Sequence, residues 1–159
     1  MIIRTATIDD AANIYFLEEQ VYELHLKERP DLIDSSKRLN SYRFIERTLK
    51  SGKGKIFVAE EEDAIIGFCT AAIIEIRNDS MFYDMKKIEI DDFCIDERHR
   101  RKGIGKKLFE EVVALAKEID AQFIELSVWG FNQNAIAFYE QLGMTTRIKR
   151  MELKIEKQL

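Results

Sequence analysis

At 159 residues, with 46% hydrophobic and 34% charged side chains, the chain is the size of one domain with a substantial core, and residues 1–159 are expected to form a single domain. A net charge of −4 argues against a general nucleic-acid-binding surface, and the two cysteines, Cys69 and Cys94, have the spacing of neither a zinc site nor a redox pair. With no long apolar run and no leader pattern, the expectation is a cytoplasmic protein with reduced thiols and no membrane partner.

Residues 2–6 read as a short strand, after which Asp9 or Asp10 can cap a helix with the apolar face Ile14, Leu17, Val21, Leu24. Arg29-Pro30-Asp31 ends that helix. Ser35 or Ser36 can open a second one carrying Leu39, Tyr42, Phe44, Ile45 and Leu49, which stops at Gly52 and Gly54. Strands at 56–59 and 64–76, joined by the charged turn Glu60-Glu61-Glu62-Asp63, make an antiparallel hairpin, and a polar loop at 78–84 leads to the next strand, 88–95.

That strand breaks parity. Ile88 and Ile90 share one face of a regular strand, whereas Phe93 and Ile95 fall on the other. A β-bulge near Asp91 and Asp92 would bring all four to one face and leave backbone N–H and C=O groups without ladder partners. A strand buried on both faces is the alternative.

Next comes Arg100-Arg101-Lys102-Gly103-Ile104-Gly105, followed by a helical stripe of Ile104, Leu108, Val112, Leu115 and Ile119. Two closely spaced glycines let the backbone approach a ligand, and a helix starting there aims unpaired N–H groups and the positive end of its dipole at an anion. Lys106 and Lys107 in the first turn oppose the dipole, a cost that a bound pyrophosphate would offset. A strand at 123–128 then runs into Trp129-Gly130-Phe131. Asn132 or Asn134 caps a short helix, 135–142, which Gly143 terminates, and residues 147–156 alternate like a last strand.

In these stretches the chain resembles the GNAT superfamily of N-acetyltransferases. Arg100, Gly103 and Gly105 fit that family's acyl-CoA pyrophosphate signature, Arg/Gln-x-x-Gly-x-Gly/Ala. Asp91 to Ile95 is similar to its cofactor-pairing strand, and Asn132-x-x-Ala135-x-x-x-Tyr139 to its second segment. A dinucleotide fingerprint would need a third glycine where Leu108 stands, and the Gly-Lys-Ser/Thr ending of a P-loop is missing. Two departures are small: Arg101 stands where the family often has glycine, and Met144 replaces the usual aromatic after Gly143.

The resemblance implies an α/β fold, with a central mixed, mostly antiparallel sheet flanked by helices on both faces and splayed between the fourth and fifth strands. It implies acetyl-CoA as cosubstrate and no metal. The pyrophosphate would lie on N–H groups from Arg101 to Lys106, with Arg100, Lys102, Gly103, Ile104 and Gly105 in the cradle. Pantetheine would run along Phe93, Cys94 and Ile95, pairing with the backbone of Phe93 and Ile95, and an N–H near the bulge would polarise the thioester carbonyl.

Tyr139 would donate a proton to the departing thiolate and touch the cofactor; packing beside Phe138 is the plainer alternative. Asn132 reads as a cofactor contact or simply a helix cap. Glu89 is the first choice of base, with Asp91 and Asp92 as competitors; all three could instead be solvated or paired with Lys86 and Lys87. The acceptor is expected to be a primary amine, with Asp79, Asp84, Glu89, Asp91 and Asp92 suiting a small cationic molecule. A protein or peptide amine, or a non-catalytic acyl-CoA sensor, are the alternatives. A homodimer through the last strand is also expected.

Overall fold

The computed structural model describes residues 1–36 and 41–155, the side chains of 41–44 excepted, and falls into two compact units, Met1–Ser127 and Val128–Leu159. The expected side chains at Leu39, Tyr42 and Phe44 lie outside what is described.

In the first unit, strand β1 (Ile2–Thr5) leads through a 3-10 turn, Ile8–Asp10, into helix α1 (Ala11–Glu28) and then α2 (Ser41–Ser51). Strands β2 (Gly54–Glu61) and β3 (Ala64–Ile76) form the expected hairpin. Its two-residue turn holds Glu62 and Asp63 at φ 50° and 62°, the doubly left-handed geometry that matches strand twist. Then follow β4 (Met85–Ile90), β5 (Phe93–Ile95), a 3-10 turn at Glu97–His99, α3 (Ile104–Glu118) and β6 (Phe123–Leu126). The sheet order is β1-β2-β3-β4-β6, with β5 also on β3; β4 and β6 are parallel and the other pairs antiparallel.

Strand alternation builds the core. Ile56, Val58, Phe68 and Cys94 pack with Ala11, Ile14 and Leu17 of α1 and Ile45 of α2. The opposite parity, including Phe57, Ala59, Cys69, Ala71, Ile88 and Ile90, is equally buried. Helix α3, which buries Ile104, Leu108, Phe109, Val112, Leu115 and Ala116, touches all six strands, β1 to β6, on that side.

The expected bulge is present. Along β3 three steps separate Ala72 from Cys69, whereas four separate their partners Glu89 and Phe93. Ile88, Phe93 and Ile95 consequently oppose Ile73, Cys69 and Gly67, residues of one face, so the parity break is repaired as the sequence suggested. Gly67 permits the close approach of β5: a Cβ there would meet Cys94 O at 3.0 Å and Ile95 Cδ1 at 2.7 Å.

At the other end of the sheet, Asp10 does not cap α1 as expected. It turns back to accept from Thr7 N–H (2.7 Å) and pairs both oxygens with Arg4 (2.7 and 2.8 Å), which also binds Glu60. This clamp ties β1 to β2 and to the start of α1. Arg4 is the main reason that the Asp10 carboxyl is held down to about 2.

In the second unit, α4 (Gln133–Gln141) ends in paired C-terminal bonds, Gly143 N–H to Glu140 O (2.9 Å) and Met144 N–H to Tyr139 O (3.1 Å). Taken by itself, this unit forms no ladder over 145–155, so the expected last strand is not seen within it. Among the described residues no helix is long and apolar enough to cross a membrane.

A depressed carboxyl contributes stability above its unfolded value that is lost as pH falls through the folded one. Asp10→Asn should therefore cost on the order of 2 kcal/mol at pH 7, shrinking toward nothing as pH falls from about 4 to 2. Urea unfolding of the two proteins across that range checks it.

Candidate active site

The cradle begins with Asp96, which is buried and caps the 3-10 turn by accepting Arg98 N–H at 3.0 Å. Arg98 folds back on the same carboxylate (2.8 and 3.2 Å) and is the first cause holding it down to about 2. Of the six cations crowded into residues 98–107, Arg98 is thus engaged locally, and Arg100 donates its Nε to Ile95 O at 3.0 Å. Arg101, Lys102, Lys106 and Lys107 form no ion pair among the described residues.

Gly103 caps α3 in the left-handed region (φ 77°), with open space where a Cβ would stand. The first helical bond is Lys107 N–H to Gly103 O (3.3 Å), so the N–H groups of Ile104, Gly105 and Lys106 precede the ladder and point along the helix axis. Arg101 adopts φ 61°, which costs about 1 kcal/mol for a residue with a Cβ and explains why glycine suits that position. Open approach, oriented donors and unpaired cations together fit a pyrophosphate.

Next to the cradle, hydrogen-bond parity decides what β5 offers. Thr70 N–H donates to Asp92 O and Asp96 N–H to Ile66 O, both at 2.9 Å, so Asp92, Cys94 and Asp96 turn their backbone toward β3. Phe93 and Ile95 turn theirs the other way, as an added strand requires. Cys94, expected as a cofactor contact, is turned from the outward side of β5: its backbone faces β3 and its thiol donates to Leu17 O (3.3 Å) in the core. Burial pushes that thiol up to about 12, which removes it as a nucleophile. Helped by this geometry, the ladder between β4 and β6 ends at Ile90 and Leu126, and β5 continues on β3 alone.

The bulge differs from expectation in one respect: its N–H groups are not left without partners. Thr70 Oγ1 accepts from Asp91 N–H at 3.1 Å and Asp92 N–H at 2.8 Å, and its own O–H reaches Asp92 O at 3.3 Å. Neither N–H remains to polarise a thioester. The reason is thermodynamic, since an unpaired buried N–H costs about 1–3 kcal/mol and a hydroxyl lay within reach. Thr70 was not singled out from sequence, although it is the lone hydroxyl inside the apolar run Phe68 to Ile74.

Three carboxylates stand along this stretch, on the side of α1. Glu89 is 43% exposed at the side chain and lies 3.8 Å from Lys87, which also binds Glu125 at 2.7 Å, so part of the plainer ion-pair reading holds. Asp92 is half-buried and its carboxylate has no hydrogen bond or ion pair among the described residues. Burial, then Glu18 of α1, then Asp91 push it up to about 6. Asp91 is also raised, by burial and by Glu89. Glu18 is a second member of the site that sequence periodicity did not reveal, because it lies on the polar side of an amphipathic helix.

In the second unit, Asn132 accepts Ala135 N–H at 3.2 Å, which is the helix-cap reading, and leaves its amide N–H₂ to bond elsewhere. Tyr139 is half-buried beside Phe138, ring centroids 5.2 Å apart, in the last turn of α4. Trp129 and Phe131 stack at 5.7 Å.

The profile of the acetyltransferase (GNAT) family matches residues 18–144. An uncharacterized N-acetyltransferase from the pepI 3′ region of Lactobacillus delbrueckii subsp. lactis is 26% identical over 112 residues, 65% of this chain and 64% of its own length. The spermine/spermidine N(1)-acetyltransferase of Bacillus subtilis (strain 168) is 36% identical over 58 residues, 36% of this chain and 38% of its own. The chain thus covers less than two thirds of either relative. A crystal structure of a tetramutant of the BH1408 protein of Bacillus halodurans superposes with a TM-score of 0.91 and 34% identity, over 98% of this chain and 100% of that one.

A carboxyl raised in the fold is a liability once ionised: the penalty is absent below about pH 4 and fully present above about pH 6. Asp92→Asn should therefore be more stable than the parent by about 2 kcal/mol at pH 8 and no more stable at pH 4. Thermal and urea unfolding at those two pH values check the sign.

Proposed function

The chain belongs to the acetyltransferase (GNAT) family, and on that premise we propose that it transfers the acetyl group of acetyl-CoA to the primary amine of a small cationic molecule, its two units acting as one domain. The observation that carries this reading is Asp92, an unpartnered, half-buried carboxylate on a bulge beside the point where β4 and β6 part.

The N–H groups of Ile104, Gly105 and Lys106 and the side chains of Arg100, Arg101, Lys102 and Lys106 would hold the pyrophosphate, and the backbone of Phe93 and Ile95 the pantetheine arm. Bound acetyl-CoA supplies an activated acyl carbon and a thiolate leaving group. The chain supplies proton management. An alkyl ammonium ordinarily holds its proton to about pH 10.4, so a base must take it before or during attack. Asp92, raised to about 6, is a stronger base than an ordinary carboxylate yet is still ionised at neutral pH.

Glu89, the first choice from sequence, is steadied by Lys87 and is proposed here to face, with Asp91 and Glu18, a second positive charge of the acceptor. Four carboxylates toward one side of the sheet suit a diamine better than a neutral amine. The polyamine named in the Bacillus subtilis relative is of that class. Tyr139 is proposed as donor to the departing sulfur. A tyrosine hydroxyl is a proton donor of suitable reach, and the paired bonds at Glu140 and Tyr139 brace its helical turn.

Thiol release from acetyl-CoA with polyamines, amino acids and peptides, with cofactor binding measured by calorimetry, tests the reading. Turnover with diamines and polyamines is expected, falling as pH drops through about 6. Asp92→Asn should lower kcat by about 10²-fold and abolish that acid limb. Glu89→Gln should raise KM for a diamine with little change in kcat; the reverse pattern would make Glu89 the base. Tyr139→Phe should reduce kcat at least ~10-fold with acetyl-CoA affinity nearly unchanged, and Gly103→Val should weaken that affinity instead, since its side chain would fill the open approach.

A further inference from the structure

We infer that Thr70 is the positioning residue of this site: by accepting the N–H groups of both Asp91 and Asp92, its hydroxyl sets the bulge and thereby the direction in which the two carboxylates stand. The inference rests on the proposed role of Asp92 and extends it to a residue on the neighbouring strand that carries no charge and touches no substrate.

Three features of the geometry support it. First, Thr70 faces the bulge with its N–H and its hydroxyl. Its N–H and O–H both reach Asp92 O (2.9 and 3.3 Å), and its oxygen accepts from Asp91 and Asp92 (3.1 and 2.8 Å). A hydroxyl has one donor and two acceptor sites, and all three are used. Second, Thr70 is 4% exposed, so water cannot readily substitute for it. Third, the ladder on either side is regular: Ala72 to Ile76 pair with Met85 to Glu89, and Gly67 to Cys69 with Phe93 to Ile95. The extra residue is therefore confined to Ile90, Asp91 and Asp92, and Thr70 holds the backbone of the last two.

Backbone direction at a bulge determines side-chain direction, and Asp92 depends on it closely. Glu18 approaches from α1 and Asp91 lies beside it, both opposing its charge. No cation is among the groups that shift Asp92. Removing the hydroxyl leaves two part-buried N–H groups without their acceptor, and the bulge must turn to find one, which swings Asp92 toward solvent. Its carboxyl would then move from about 6 back toward the ordinary value.

Thr70→Val keeps the branched shape and removes only the hydroxyl chemistry; Thr70→Ser keeps the hydroxyl and removes the methyl. Two readouts separate the questions. The Asp92 carboxyl titration, followed by carbon NMR and assigned with Asp92→Asn, reports position without reference to turnover. Steady-state kinetics report consequence. In Thr70→Val the titration midpoint should fall by about one unit and kcat by roughly 10–100-fold, with KM for acetyl-CoA within about threefold, because the cradle is distant. Thr70→Ser should recover most of both.

A wild-type titration in Thr70→Val overturns the inference, as does a Thr70→Ser protein that behaves like Thr70→Val, since the role would then belong to packing. A shifted titration with undiminished kcat supports the positioning role and instead removes Asp92 as the base. Should Thr70→Val fail to fold, Thr70→Ala against Thr70→Ser makes the same comparison of hydroxyl removed with hydroxyl kept.

Discussion

One extra residue between β4 and β5, and the hydroxyl that absorbs it, governs the rest of this architecture. Without the insertion Phe93 and Ile95 would face α1 and Cys94 would face α3, so neither layer of the core could close. With it, one β3 strand of 13 residues serves two partner segments, and both helical layers find apolar side chains where they need them. The insertion has a price in unpaired backbone groups, which Thr70 meets from inside the sheet. The same insertion turns the outward backbone of Phe93 and Ile95 away from β3, just past the end of the β4–β6 ladder. Core closure and an outward-facing strand backbone are therefore consequences of a single local event.

The site is electrically divided along the short strand that follows. Carboxylates Glu89, Asp91 and Asp92 stand at its start, and the cradle with Arg100, Arg101, Lys102 and Lys106 at its end. Three residues of β5 span about 10 Å between them. In a chain of net charge −4 this is a local arrangement of opposite charges and not a global field. Asp96 and Arg98 neutralise one another at the boundary, which keeps the cradle's positive charge from being cancelled by its nearest carboxylate. An anionic cosubstrate and a cationic acceptor would thus be drawn to opposite ends of one strand, with the acyl group between them.

Much of this was legible in the sequence, and for identifiable reasons. Hairpin, helices and glycine cradle follow from periodicity and from residues with restricted conformations, both of which act locally. The bulge was legible because side-chain parity is a count, and Ile88, Ile90, Phe93 and Ile95 do not fit one count. What closes it was not legible. Thr70 lies 21 and 22 residues from the groups it binds, and nothing local in Cys69-Thr70-Ala71 reports an inserted residue on another strand. What sets Asp92 apart from Glu89 and Asp91 was hidden for the same reason, since it depends on Glu18, which approaches from α1, whereas the contact of Glu89 with Lys87, two residues away on the same strand, was among the pairings expected. Asp10 shows the reverse case: placed to cap α1, its carboxylate instead closes the preceding turn on Thr7 and pairs with Arg4 of β1. Charge pairing with the neighbouring strand decided which of the two capping positions Asp10 serves.

Threonine is also the residue type this position selects. Valine would suit the interior of β3 equally in shape but would strand two N–H groups; asparagine could accept them but is larger and poorly suited to a buried strand. Serine provides the oxygen without the branch that fixes its rotamer. A β-branched hydroxyl satisfies packing, strand preference and hydrogen bonding together, and so holds the backbone firm. That firmness matters because Asp92 gains nothing from its surroundings: burial and neighbouring carboxylates oppose its charge. An ionised group in an unfavourable place stays there only when its backbone has no better position to move to. The stability given up at Asp92 is thus kept from relaxing by the strand beside it, which is how a neutral residue in the core comes to govern the basicity of an acid at the site.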